Sequence, residues 1–149
     1  MTTEWTLTFD CAHAAVQAAF WKAALGYVDA APPEGFVSWN EWLRHFGVPE
    51  DEWDDGASIE DPDGVRPPIS FLEVPEAKTA KNRIHLDIQA GGGRSVPWDT
   101  RWPRVTEVVD RLTAAGALSA TVVNDIDGPD GRPDHVVMTD PEGNEFCVV

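Results

Sequence analysis

Apolar and polar residues alternate from Trp5 to Cys11. Leu7, Phe9 and Cys11 point one way, and Thr6, Thr8 and Asp10 the other. That period of two predicts a half-buried strand. The alanine-rich segment behind it carries Val16, Phe20 and Ala24 at helical spacing and closes at Leu25-Gly26-Tyr27, where Gly26 suits a helix C-cap. Ser38-Trp39-Asn40-Glu41 reads as a capping box. Trp39, Trp42, Leu43 and Phe46 then form an apolar stripe on a short helix that Gly47 stops, and Pro49 opens a turn through Trp53. Asp61-Pro62-Asp63-Gly64 is a turn, and Ile69 to Val74 a strand.

The stretch from Val74 to Asn82 is polar, carries Lys78 and Lys81, and is expected to link two halves. Beyond it Ile84, Leu86 and Ile88 alternate with His85, Asp87 and Gln89, a second half-buried strand ended by Gly91-Gly92-Gly93. Trp102, Val105, Val109 and Leu112 form the stripe of a further helix that stops near Gly116. Thr121 to Asn124, Val136 to Thr139 and Phe146 to Val149 read as strands, with a turn at Asp140-Pro141-Glu142-Gly143.

That last turn repeats the first one 79 residues on, and the same spacing carries Thr6 onto His85, Thr8 onto Asp87 and Asp10 onto Gln89. Both halves read strand, helix, short strands, turn, strand, which points to a duplicated unit. The tryptophan helix is extra to the first half.

Composition narrows the function. The chain has 149 residues and is 42% hydrophobic, enough for one core-bearing domain. Its 26 acidic against 11 basic residues give a net charge of −15, which repels phosphate backbones and anionic membranes alike. No nucleic-acid or membrane partner is expected. The start, Met1-Thr2-Thr3-Glu4-Trp5, has neither the basic region nor the apolar core of a signal peptide. With only Cys11 and Cys147 present, free thiols and a cytoplasmic location are expected.

Three patches of sequence carry a family resemblance. They are Asp10-Cys11-Ala12 with Ala19-Phe20-Trp21 and Leu25-Gly26-Tyr27, the run Lys78 to Asp87, and the ending Met138 to Cys147. Together they resemble the glyoxalase-like branch of the vicinal-oxygen-chelate superfamily, which holds glyoxalase I, bleomycin-resistance proteins and extradiol dioxygenases. The resemblance implies an α+β fold of two tandem βαβββ modules, 4–76 and 83–149 with a linker over 77–82, whose curved mixed sheets enclose a shared cup. It also implies a homodimer.

Catalytic relatives hold a divalent metal on His, Gln or Glu from the first and last strands of each module. Carried over, His85 matches one ligand position, its repeat partner is Thr6, the expected carboxylate of the last strand falls at Cys147, and Glu73 is the candidate in module one. His, Glu and Cys with no fourth ligand do not complete a four-ligand site, so no resident metal is expected. The first expectation is therefore a small-molecule binder. His85 is its reactive pocket residue, Thr6, Thr8, Asp10, Asp87 and Gln89 are its polar contacts, and Trp39 and Trp42 lie as a lid. The alternative is a metal-dependent lyase, isomerase or dioxygenase on His85, Glu73 and Cys147. A third is a partner-binding module using the acidic surface. His13, His45 and His135 read as surface or capping residues, and Lys78, Lys81 and Arg83 as partners of nearby carboxylates. Gly91-Gly92-Gly93 lacks the lysine of a phosphate loop, and no Gly-x-Ser-x-Gly elbow is present.

Overall fold

The structure, a computed structural model, describes residues 1–125 and 130–149. It divides into two units: Met1–Lys22 with Gly26–Ala77, and Ala23–Leu25 with Lys78–Val149. No helix among the described residues is long and apolar enough to cross a membrane.

The first unit opens with β1 (Leu7–Cys11), whose alternation is that of the sequence: Thr8 and Asp10 are exposed while Cys11 is buried. Helix α1 (Ala14–Leu25) follows and closes on Gly26 at φ 72, a left-handed residue whose N–H reaches the Lys22 carbonyl. The buried face of α1 differs from the expected stripe. Val16 is half exposed, and Ala14, Gln17, Ala18, Phe20, Trp21 and Ala24 are buried instead. Gln17 disguises that face, because its carbonyl accepts the Trp21 indole N–H at 3.1 Å and so hides a polar residue in the core. Trp21 packs on Phe9 of β1 with ring centroids 5.2 Å apart.

Strands β2 (Val28–Asp29), β3 (Gly56–Glu60) and β4 (Ile69–Glu73) complete a sheet of order β1-β4-β3-β2, with β1 and β4 parallel and the other pairs antiparallel. Between β2 and β3 lie α2 (Trp39–His45) and a 3-10 turn, Glu50–Glu52. Ser38 caps α2 as expected, accepting from the Glu41 N–H, while the Glu41 carboxylate takes the N–H of Val37, one residue before the cap.

The second unit repeats the plan. β5 (Asp87–Ile88), α3 (Trp98–Ala114), β6 (Ser119–Asn124), β7 (Pro133–Thr139) and β8 (Glu145–Val148) give a sheet of order β5-β8-β7-β6, again with the first and last strands parallel. Val136, Met138, Phe146 and Val148 on one face, with Val105 and Leu112 of α3, are all buried. The Asn82 side chain pairs with Glu145, the first residue of β8, its amide oxygen accepting from the Glu145 N–H and its amide nitrogen donating to the Glu145 carbonyl. Lys81 pairs with the Glu145 carboxylate, and Lys78 turns back on the Ala80 carbonyl.

Each unit is thus a βαβββ module within a mixed α+β fold. The repeat holds with one slip. Thr8 pairs with Ser70 as Asp87 pairs with Cys147, so the last strands stand two residues off the spacing that relates the first strands. The loop from Val65 to Pro68, longer than the lone Asn144 after the second turn, takes up the difference.

Candidate functional site

Alternation in a sheet sends one row of side chains to each face, and in the second unit the face away from the core is chemically rich. Asp87 of β5 pairs with Cys147 of β8, which pairs with Val137 of β7. His85, two residues before Asp87, and Gln89, two after, point the same way by the same alternation. His135 stands two residues before Val137. A cavity of about 400 Å³ lies on this face. His85, Asp87 and Gln89 line it from the first strand, Cys147 and Val149 from the last, and His135 from β7. Arg94, Arg101 and Asp134 form its wall.

The wall is an ion-pair cluster. Asp134 takes the Arg94 guanidinium at 2.8 Å, that of Arg101 at 3.3 Å, and His135 Nδ1 at 3.0 Å. Arg94 also reaches Asp125 at 3.8 Å. Burial pushes the Asp134 carboxyl up, but the hydrogen bonds from His135 and Arg101 and the charges of Arg94 and Arg101 outweigh it, and the group settles below the ordinary carboxylate range. Arg101 reaches Asp134 from α3 by passing over Gly91.

The floor holds a second cluster. His85 Nε2 is 3.3 Å from the Asp87 carboxylate, and both side chains are half exposed. The ligand atoms of His85, Asp87 and Cys147 all lie within 4.8 Å of one another, the one such grouping among the described residues. Burial, with the charge and hydrogen bond of Asp87, pushes the Cys147 thiol up, against a smaller pull from Lys81. The thiol is therefore protonated at neutral pH and is no ready nucleophile. As a metal site the donor set fits. One nitrogen, one carboxylate and one sulfur suit zinc, whose tetrahedral donors stand about 3.3–3.8 Å apart, and the half-exposed His85 and Asp87 have the freedom to close that gap.

The structure brings His85, Asp87, Gln89 and Cys147 together. Glu73 goes elsewhere: strand alternation puts it on the face of Ile69 and Phe71, and its carboxylate accepts the Ala14 N–H at the start of α1. Glu73 is a helix cap, and Asp87 stands in the cluster where the sequence had offered Glu73. Thr8 and Asp10 occupy the exposed face of β1, and Thr6 precedes that strand. Trp39 donates its indole N–H to the Ala30 carbonyl and meets Trp42 edge-on at 5.8 Å, within an aromatic group that includes Phe36 and Phe46. His135, expected at the surface, is instead a cavity residue. Its position carried no periodic signal, because the wall forms around its neighbour Asp134, whose partners Arg94 and Arg101 are tens of residues away.

Two βαβββ modules, one bearing a polar pocket on its sheet, define a protein of the vicinal-oxygen-chelate superfamily. The chain belongs to the glyoxalase-like domain family, whose model matches residues 6–149. No curated protein matches it. Among solved structures it is similar to a mutant form of the fosfomycin resistance protein FosX from Listeria monocytogenes complexed with Mn(II) and 1S,2S-dihydroxypropylphosphonic acid. That pair has a TM-score of 0.59 and 13% identity, over 99% of this chain and 89% of that one. A glyoxalase/bleomycin resistance protein/dioxygenase family enzyme from Burkholderia phytofirmans gives a TM-score of 0.55 at 14% identity, over 96% and 94%. A glyoxalase-related enzyme from Fulvimarina pelagi gives 0.55 at 13%, over 99% and 87%. At these identities the likeness carries the fold.

Proposed function

We propose that this chain binds a small organic molecule in the cavity of its second unit, without a four-ligand metal site. The observation that carries this is the convergence of His85, Asp87, Gln89 and His135 on one space of about 400 Å³ from the two strands that flank β8. Small-molecule sites typically have that size, with a few placed polar groups to fix orientation. Trp98 donates its indole N–H to the carbonyl of Pro133, beside Asp134, so tryptophan emission reports on the cavity. A small-molecule screen by fluorescence should yield ligands whose affinity falls about 3- to 10-fold in His85→Ala and in Gln89→Ala, the weight of one polar contact each. Ligands that bind both variants as tightly as the parent would put the site elsewhere.

A second reading, metal-dependent lyase, isomerase or dioxygenase chemistry, is favoured by the His85–Asp87–Cys147 cluster. These three residues would hold the ion and leave a coordination position open; the metal would then supply Lewis-acid polarisation of a ligand oxygen. Metal analysis separates the readings. About one bound zinc per chain, lost in His85→Ala, would favour the second.

The protein in this reading is a cytoplasmic homodimer. Cys147 is a free cysteine, and two-fold dimers are the commonest soluble oligomers. Light scattering at micromolar concentration should give twice the chain mass; a monomer would refute the dimer.

A further inference from the structure

We propose that His135 is the proton-transfer residue of this cavity, its Nε2 taking a proton from an O–H or an acidic C–H of a bound small molecule while Asp134 holds its Nδ1–H. This rests on the small-molecule reading of the cavity and adds a reaction step to it.

The orientation of the imidazole follows from its partner. An ionised carboxylate only accepts hydrogen bonds, so the His135 nitrogen 3.0 Å from Asp134 must carry the proton. In the neutral ring the other nitrogen, Nε2, then keeps its lone pair. Nε2 has no hydrogen-bond partner among the described residues, and the side chain is 27% exposed within a cavity-lining position. Asp134 is the weaker base of the two, because Arg94, Arg101 and His135 occupy its oxygens and the two guanidinium groups favour its unprotonated form. That anion then stabilises the imidazolium formed when Nε2 takes the proton, and the electron pair stays on the ligand.

His85 presents the opposite nitrogen to its carboxylate, across 3.3 Å, and its side chain is more exposed, 49% against 27% for His135. Its Nε2 faces the Asp87 carboxylate, and both belong to the half-exposed cluster with Cys147. His85 and Asp87 therefore hold the ligand, and His135 moves the proton. The wall also selects the ligand class. Among the described residues Arg94 and Arg101 both pair with Asp134, and Arg94 also lies 3.8 Å from Asp125, so the wall offers a phosphate or phosphonate little net positive charge. The fitting class is an uncharged molecule bearing an alcohol, or a carbon acid beside a carbonyl.

Two measurements test this. In nitrogen-15 NMR of the histidine side chains, with the His135 signal identified by its loss in His135→Gln, neutral His135 should be the Nδ1–H tautomer. In Asp134→Ala it should revert to the mixture dominated by Nε2–H found in free histidine. A wild-type ring in the Nε2–H form overturns the proposal, and this reading stands even if Asp134→Ala does not fold. The second uses 5-nitrobenzisoxazole, whose only demand is a base. Removal of its C3 proton sends the C–H pair into a nitrile, breaks the N–O bond and releases a coloured phenolate. Conversion should exceed the buffer rate and fall at least about tenfold in His135→Gln, with His45→Gln, at an exposed histidine outside the cavity, retaining it. Equal conversion by His135→Gln, with equal quenching of tryptophan by the probe, overturns the proposal and leaves the binding site intact. If the probe does not bind, the binding reading is decided by the ligand screen and the tautomer alone decides His135.

Discussion

Arg101 reaches the cavity wall because residue 91 has no side chain. A Cβ at Gly91 would stand 2.4 Å from the Arg101 Cγ, close to the stem of the side chain rather than its free end. Gly91→Ala should therefore displace Arg101 from Asp134 and cost about 1–3 kcal/mol, the range for overpacking a tight site. Urea denaturation checks it, and a double-mutant cycle sharpens it: in an Arg101→Ala background the same substitution should cost little, because the clash is gone. Asp134 makes a prediction in pH. Its folded carboxyl titrates below the unfolded value of about 3.9. The stability of its ionised form is whole above that value and is lost as the pH falls through the lower folded one. The stability difference between wild type and Asp134→Asn should hold steady above about pH 5 and shrink below about pH 4.

At the scale of elements, α2 stands apart, since none of its residues is buried. Its stability rests on its cap and on the rings of Trp42 and Phe46, 4.9 Å apart. Ser38→Ala should cost about 1 kcal/mol, but as local opening. Amide exchange in Trp42–His45 should quicken about fivefold while the global melting temperature barely moves. The elements also show what the sequence could reveal. β1 was legible because Leu7, Phe9 and Cys11 alternate with polar residues. β3 was not, since Gly56-Ala57-Ser58-Ile59-Glu60 has one strongly apolar residue, and β2 is two residues long. The start of α3 at Trp98 was hidden by Pro97 and by the polar residues Asp99, Thr100 and Arg101. In the site, His85, Asp87 and Gln89 were legible because a strand's alternation places them together. The wall was not, because Arg94 and Arg101 reach Asp134 across 40 and 33 residues of chain, and local pattern carries no trace of such a pairing.

Over the whole molecule the net charge of −15 sets a background of self-repulsion. Salt shortens its reach, from a Debye length of about 30 Å at 0.01 M to about 8 Å at 0.15 M. The melting temperature at pH 7 should accordingly rise by several degrees across that interval, and an unchanged or falling value would show the surface ion pairs dominating. The strand order has a consequence for how the chain is made. In both sheets the strand synthesised last, β4 or β8, sits between the first strand and the third. Cys11 and Leu72 meet across 61 residues, and Asn82 and Glu145 across 63. On the ribosome β5 must therefore wait without a neighbour until β8 has emerged, and the cavity floor is the last part of the second module to come into being. Until that moment the nascent β7 carries an open edge, so a pause in translation just before β8 is the moment of greatest risk for aggregation.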